Sequence, residues 1–333
     1  MLIRLIALLT IVVGIQYLCS AKSSEEILME ELNEANAEAA ENVAKLTPQA
    51  EAGDAEAQLE LARAYWAMVV MAKSDIQETV KETSWSWYEK VVEQTKDLKV
   101  KAEATKELAT NYWYQEKMDG LQSLAEKGVA DAQYYLADRL SSSNETMKQA
   151  IEWYEKAAEN GKTESMAWLA SNFQLGMVVE QDVKKAFEWL KKGAEAGDPE
   201  MTYELATKYH NGFGSFWPEF EKDIRKANEL YQKAANAGHT GAQIYLAKLL
   251  IYAKLGANAE VVTGWLLDKE VAEGYFYRGR MYELGIGRDM NLDKALAHYQ
   301  VALKKGYLQA EMAIDRVKVA KMNAAEAVNA SVQ

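Results

Sequence analysis

An all-α solenoid of about seven to eight helix-turn-helix repeats is the fold class that this 333-residue sequence predicts. Three observations carry it. One short template recurs eight times, apolar residues inside each copy fall three and four apart, and glycine closes most copies where a helix must stop.

From the amino terminus, Met1-Leu-Ile-Arg4 and the apolar run over 5–18 have the dimensions of a secretory signal. Cys19-Ser20-Ala21 offers small residues at a signal-peptidase site, so a signal peptide over 1–21 is expected. Lipid attachment at Cys19 is the minority alternative, set against the bulky Gln16-Tyr17-Leu18 just before it. Both readings put the chain in the periplasm or outside the cell, as part of a bacterial envelope. Cleavage removes the one cysteine, so no disulfide would staple the exported chain and an apolar core must hold it.

An acidic capping helix is predicted over 22–49, most clearly at 25–45 (EEILMEELNEANAEAAENVAK). The repeat array then runs over 50–321, and a tail over 322–333, without a sustained apolar stripe, is expected to fray.

Within the array, AEAQLELARAYW (55–66), AEATKELATNYW (102–113), ADAQYYLADRLS (130–141), TESMAWLASNFQ (163–174), PEMTYELATKYH (199–210), TGAQIYLAKLLI (240–251), AEGYFYRGRMYE (272–283) and LQAEMAIDRVKV (308–319) align without gaps. A small residue stands at Ala62, Ala109, Ala137, Ala170, Ala206, Ala247 and Gly279, at an average step of about 36 residues, and Asp315 ends the series. A side chain this small lets a neighbouring helix cross closely, so this first helix is expected to be buried on two sides. A second helical pattern closes most copies, as in AIEWYEKAAENG (150–161), AFEWLKKGAEAG (186–197), ANELYQKAANAG (227–238) and ALAHYQVALKKG (295–306). Gly53, Gly128, Gly161, Gly197, Gly238 and Gly306 mark the turns between hairpins.

The template AEAQxxLAxxY followed by AxxWYxKAAxxG resembles the Sel-one-like repeat, a relative of the tetratricopeptide repeat, over roughly residues 50–320. Gly279-Arg280-Met281-Tyr282-Glu283-Leu284-Gly285-Ile286-Gly287 is its closest local match. Arg278 in place of leucine and Glu270 in place of a closing glycine depart from the pattern. The resemblance implies a tetratricopeptide-like superhelix whose first helices turn one side toward a concave surface. On that register the expected partner-binding residues are Arg63, Trp66, Trp113, Tyr134, Tyr203, His210, Phe276 and Arg280, with Leu59, Lys106, Asp138, Lys248 and Arg316 beside them. The long step between Ala206 and Ala247 adds an aromatic loop, Phe213 to Phe220, from which Phe216 and Trp217 join the expected contact set. Trp153, Trp168 and Trp189 sit in the repeated pattern and read as packing between helices.

Enzyme signals fail on inspection. His210, His239 and His298 form no ligand spacing, and His298 occupies the tryptophan position of a second helix. Gly161-Lys162-Thr163 lacks the earlier glycine of a phosphate loop, and Gly212-x-Gly214 and Gly285-x-Gly287 lack the third glycine of a dinucleotide fold. No catalytic residue, metal or cofactor is therefore expected. With 38 Lys+Arg against 50 Asp+Glu, the net charge of −12 disfavours nucleic acid as a partner. The expected function is an exported, non-catalytic protein–protein interaction scaffold or adaptor binding another protein or an extended peptide, with no membrane span once the signal is removed. The alternative, also implied by the resemblance, is an immunity protein neutralising a secreted toxin such as an effector lipase. The sequence leaves the oligomeric state open.

Overall fold

Alanine, leucine and tyrosine at helical spacing build sixteen helices, and no strand, among the residues that the computed structural model describes: 37–69, 72, 76–212 and 222–332. They divide into two units between Lys162 and Thr163. The first holds α1 (Ala37–Glu51), α2 (Ala55–Val69), α3 (Gln77–Gln94), α4 (Leu98–Tyr114), α5 (Met118–Glu126), α6 (Ala130–Leu140) and α7 (Met147–Glu159). The second holds α8 (Thr163–Leu175), α9 (Val183–Glu195), α10 (Pro199–Asn211), α11 (Ile224–Asn236), α12 (Thr240–Tyr252), α13 (Gly256–Asp268), α14 (Ala272–Leu284), α15 (Leu292–Lys304) and α16 (Gln309–Val332).

Inside each unit every helix packs on the next in chain order, and first helices also touch across one intervening helix, α2 on α4, α4 on α6 and α12 on α14. This is the stacking of an α-solenoid. The proposed signal, Cys19 and the start of the acidic helix lie outside the described residues. The rest of that helix, α1, buries Ala40, Val43 and Ala50 against α2. At the other end α16 continues as helix to Val332, through the stretch where the sequence predicts fraying.

The small-residue series packs as expected: the six alanines from Ala62 to Ala247 are at most 8% exposed. Gly279 shows why bulk is excluded there, since a Cβ at this position would lie 2.8 Å from the Tyr299 ring. The apolar residue just before each, such as Leu61, Leu108, Leu136, Leu169 or Leu205, is buried, each worth about 1.5–3 kcal/mol. Leu59, placed on the outward side by the register, is instead buried beside Ala62.

Hydrogen bonds tie hairpin to hairpin. Gln58, Gln133 and Gln243, the glutamines of the AxAQ-type start, donate Nε2 to the carbonyls of Ala50, Ala125 and Ala235 at 2.9, 3.0 and 3.1 Å. Each target is an end-of-helix carbonyl eight residues earlier, which also accepts the N–H of the closing glycine three residues on. Asp182, Asp223 and Asn291 cap α9, α11 and α15 by accepting from the backbone N–H three residues on.

The glycines that close the hairpins have φ between 86° and 95° at Gly53, Gly128, Gly161, Gly197, Gly238 and Gly306. Glu270 keeps the same turn without being glycine. Its φ is 55°, its N–H bonds to the Leu267 carbonyl at 2.8 Å, and the next N–H, of Val271, bonds to Leu266 at 2.9 Å. A side chain in this left-handed conformation costs about 1–2 kcal/mol. The Glu270 carboxylate is exposed and its contact with Lys305 returns little. Glu270→Gly is therefore expected to stabilise the chain by about 1 kcal/mol, read as a higher midpoint in urea denaturation with unchanged slope.

Candidate partner-binding faces

In the first unit the outward side of α2 and α4 is organised by charge. Arg63 donates Nε to both carboxylate oxygens of Glu107 at 3.2 and 3.0 Å, and its terminal nitrogens reach Glu103 at 2.6 Å and Glu60 at 2.5 Å. Hydrogen bonding to Glu107, outweighing the cost of burial, raises the guanidinium above its ordinary range. Tyr88 donates its hydroxyl to the same Glu107 at 2.9 Å, and burial, then the nearby carboxylate, push that phenol up. One cation thus serves three carboxylates, and this row offers a partner negative charge.

Farther along α4, Trp113 stacks on Tyr135 of α6 with centroids 5.3 Å apart and donates its indole N–H to Asp138 at 3.1 Å. Arg139 lies 5.3 Å from the indole and donates to the Trp113 carbonyl at 2.8 Å. Tyr134 meets Tyr154 of α7 edge-on at 6.0 Å, and Lys162 stands 5.4 Å from its ring. Trp66 is half-buried and packs against both cores of this unit. These expected residues are brought together in two groups, Arg63 among glutamates and Trp113 with Tyr134 among rings.

In the second unit the same side of α10 carries Tyr203 and His210, which belong to one ladder of rings. His239 stacks on Tyr203 at 4.2 Å, Tyr203 meets Tyr231 at 5.6 Å, Tyr231 stacks on Tyr245 at 4.0 Å, and Tyr245 meets His210 edge-on at 5.6 Å. Burial raises the Tyr231 and Tyr245 phenols, which therefore stay neutral as rungs. His239 accepts the Ala242 N–H at Nδ1, 3.1 Å away, and its Nε2 faces Glu200 at 2.9 Å. A donor at Nε2 and an acceptor at Nδ1 describe the neutral ring tautomer. Over the ladder lies a shallow depression of about 400 Å³ lined by Glu200, Tyr203, Glu204, Thr207, Lys208 and Asn211, with Gly212 at its end. Lys208 there is engaged by Gln174 at 3.0 Å and Glu204 at 3.6 Å.

Phe276 and Arg280 of α14 stand apart from that ladder. Phe276 packs against Tyr299 and Tyr307 at 5.4 and 4.9 Å, and the Arg280 guanidinium lies 5.9 Å from the Tyr252 ring. Phe216 and Trp217 lie outside the described residues. His298 stacks on Tyr282 at 5.4 Å, and burial, then Arg278 and Arg288, lower it from its ordinary value. Among the described residues no group of three or more His, Cys, Asp or Glu side chains could hold a metal ion, and no helix is long and apolar enough to cross a membrane.

One further concavity, of about 490 Å³, lies in the first unit where α5, α6 and α7 meet, lined by Met118, Asp119, Leu136, Leu140, Glu152 and Trp153 among others. Sequence reasoning assigned Trp153 to packing and passed over this groove. The signal for it is the step of 28 residues between Ala109 and Ala137. That step shortens α5 to nine residues where α7, α9, α11 and α15 have 13, so Trp153 is left half-buried, with Lys156 3.9 Å over its ring.

Residues 130–162, 163–198, 199–239 and 272–307 each match the Sel1 repeat. Among solved structures, the chain is similar to a Sel1 repeat protein from Oxalobacter formigenes, with 21% identity and a TM-score of 0.54, covering 83% of this chain and 80% of that one. A protective antigen of uropathogenic Escherichia coli with an SLR fold gives 21% identity and a TM-score of 0.53 over 83% of this chain and 67% of that one. An immunity protein from Pseudomonas aeruginosa is 26% identical over 54% of this chain and 67% of its own, at a TM-score of 0.30. Comparison with curated proteins finds no match. The first two of these structures agree with the solenoid fold, and Sel1 repeats generally mediate protein–protein interaction.

Proposed function

This chain is a helical-repeat protein carrying four Sel1 repeats, and on that premise we propose that it is an exported, non-catalytic scaffold whose first helices bind a partner protein or extended peptide along their outward rows. The observation that carries the reading is the same in both units. The aromatic rings of those rows are already paired with one another, and the same rows carry carboxylates, Glu60, Glu103 and Glu107 around Arg63, and Glu200 and Glu204 over Tyr203. Rigid rings supply flat apolar area with little ordering entropy left to lose, while the carboxylates select a partner with a basic face. The net charge of −12 acts in the same direction at longer range.

The test places a photo-crosslinking residue at Glu103 or Glu204 in living cells and identifies the adduct. A basic envelope protein should be captured, and Glu103→Lys combined with Glu204→Lys should weaken its binding by about tenfold or more, with helicity intact. Absence of any adduct at both positions, or affinity that survives both reversals, would overturn the proposal. The immunity reading rests on the same carboxylate excess. It requires that the captured protein be a single secreted toxin, held one-to-one and inactive in the complex.

A further inference from the structure

The carboxyl-terminal helix α16 is buried on one side only as far as Val317, where Ala310, Ala313, Ile314 and Val317 pack against the hairpin of α14 and α15. From Lys318 to Ala327 every side chain is exposed, yet the backbone stays helical to Val332. A helical stretch of this length is marginal in water without a packing partner.

The side facing away from the core is not the polar surface that a terminal repeat needs in order to meet solvent. Met312, Val319 and Met322 are 70, 54 and 63% exposed, and Leu308, in the turn just before α16, is 72% exposed. With Asp315 and Glu326 they occupy positions 308, 312, 315, 319, 322 and 326, alternating steps of four and three. That is the seam spacing of helices that pair lengthwise. Asp315 interrupts the seam and lies 3.7 Å from Lys318.

Charge decides what covers the stripe. Glu311 and Lys318 are both exposed, lie on the same flank of the seam and are one heptad apart. In antiparallel pairing, equivalent flank positions face one another, so Glu311 of one copy meets Lys318 of the other, twice over, by symmetry. We propose that this stripe is the interface with a second copy of the chain, formed by α16 against α16 in antiparallel, two-fold-related pairing. In that register the second copy supplies apolar cover to Met312 and Val319, and the outward rows of the first helices stay open for a different partner.

Sedimentation velocity of the full chain between 1 and 100 µM tests this. Dimer formation across that range is expected. Met312→Glu combined with Val319→Glu should leave a monomer of unchanged helicity. Glu311→Lys and Lys318→Glu should each weaken self-association by roughly tenfold, by setting like charges together. Mixing these two variants one-to-one should restore a heterodimer, which a merely misfolded variant could not do. A chain that is monomeric throughout, a dimer indifferent to Met312→Glu with Val319→Glu, or a mixture without restored association would each overturn the inference.

Discussion

Gly256→Val is expected to lower the stability of the second unit by about 3 kcal/mol, because it forces bulk between two backbones that touch. A Cβ at Gly256, the first residue of α13, would lie 2.2 Å from the Cα of Gly287 and 2.3 Å from its nitrogen. Those are main-chain atoms, so no side-chain rotation relieves the clash. Gly287 cannot yield either, since its φ of 71° lies in the left-handed region and its own Cβ would meet the backbone of Gly256 at 2.8 Å. The crossing lays the turn after α14 on the start of α13 and buries Ile286. The loss should appear in thermal or urea denaturation, together with early hydrogen exchange in α13 and α14. A Gly256→Val protein that melts like the parent would show that the two backbones do not meet.

Arg316→Leu carries the next largest effect, about 2 kcal/mol of destabilisation near neutral pH. Arg316 donates to the two oxygens of Glu283 at 2.6 and 2.8 Å, and Tyr299 donates its hydroxyl to the same carboxylate at 2.5 Å. The carboxylate is largely buried, while Arg316 is half exposed, so the figure stays below that of a fully buried pair. Burial alone would raise Glu283, but the hydrogen bonds from Arg316 and Tyr299 outweigh it and hold the carboxyl below its ordinary value of 4.5. A depressed carboxyl contributes stability above its unfolded pKa, and that contribution is lost as pH falls through the folded one. The parent should therefore lose part of its stability below about pH 4.5. Arg316→Leu should lack that step, because the contribution is already gone. Denaturation curves at pH 7 and pH 3.5 measure both. An equal fall for parent and variant on acidification would rule out the ion pair as its source.

How much of this was legible from the amino acids follows from what each position needs. The helical period, the small-residue crossings and the closing glycines are local requirements, so Ala62 through Gly279 could be placed before any coordinates. The Gly256 and Gly287 contact joins positions 31 residues apart in different hairpins, and no local pattern announces it. The second of these glycines was weighed as the end of the closest local match to the repeat and as part of an incomplete dinucleotide motif, neither of which points to Gly256. Expected partner residues such as Trp113, Tyr203 and Phe276 lie on first helices, and their rings are engaged by Tyr135, His239 and Tyr299. Helical register gives the direction of a side chain without the rotamer of its neighbour. Leu59 shows the same limit from the other side: its register points outward, yet α3 and α4 supply enough apolar surface to bury it.

The glutamines at the hairpin starts bear on where such an array can be lengthened or cut. Because Gln133 bonds a carbonyl in the preceding hairpin, severing the chain after Gly128 leaves its buried amide without that partner, while the Ala125 carbonyl keeps the Gly128 N–H. The tie is not universal, since Thr105, Met166, Thr202 and Tyr275 stand at the glutamine's position in other copies. A hairpin copied from one of the three glutamine-bearing copies would therefore carry a polar tie to its predecessor that a copy of the others would not bring.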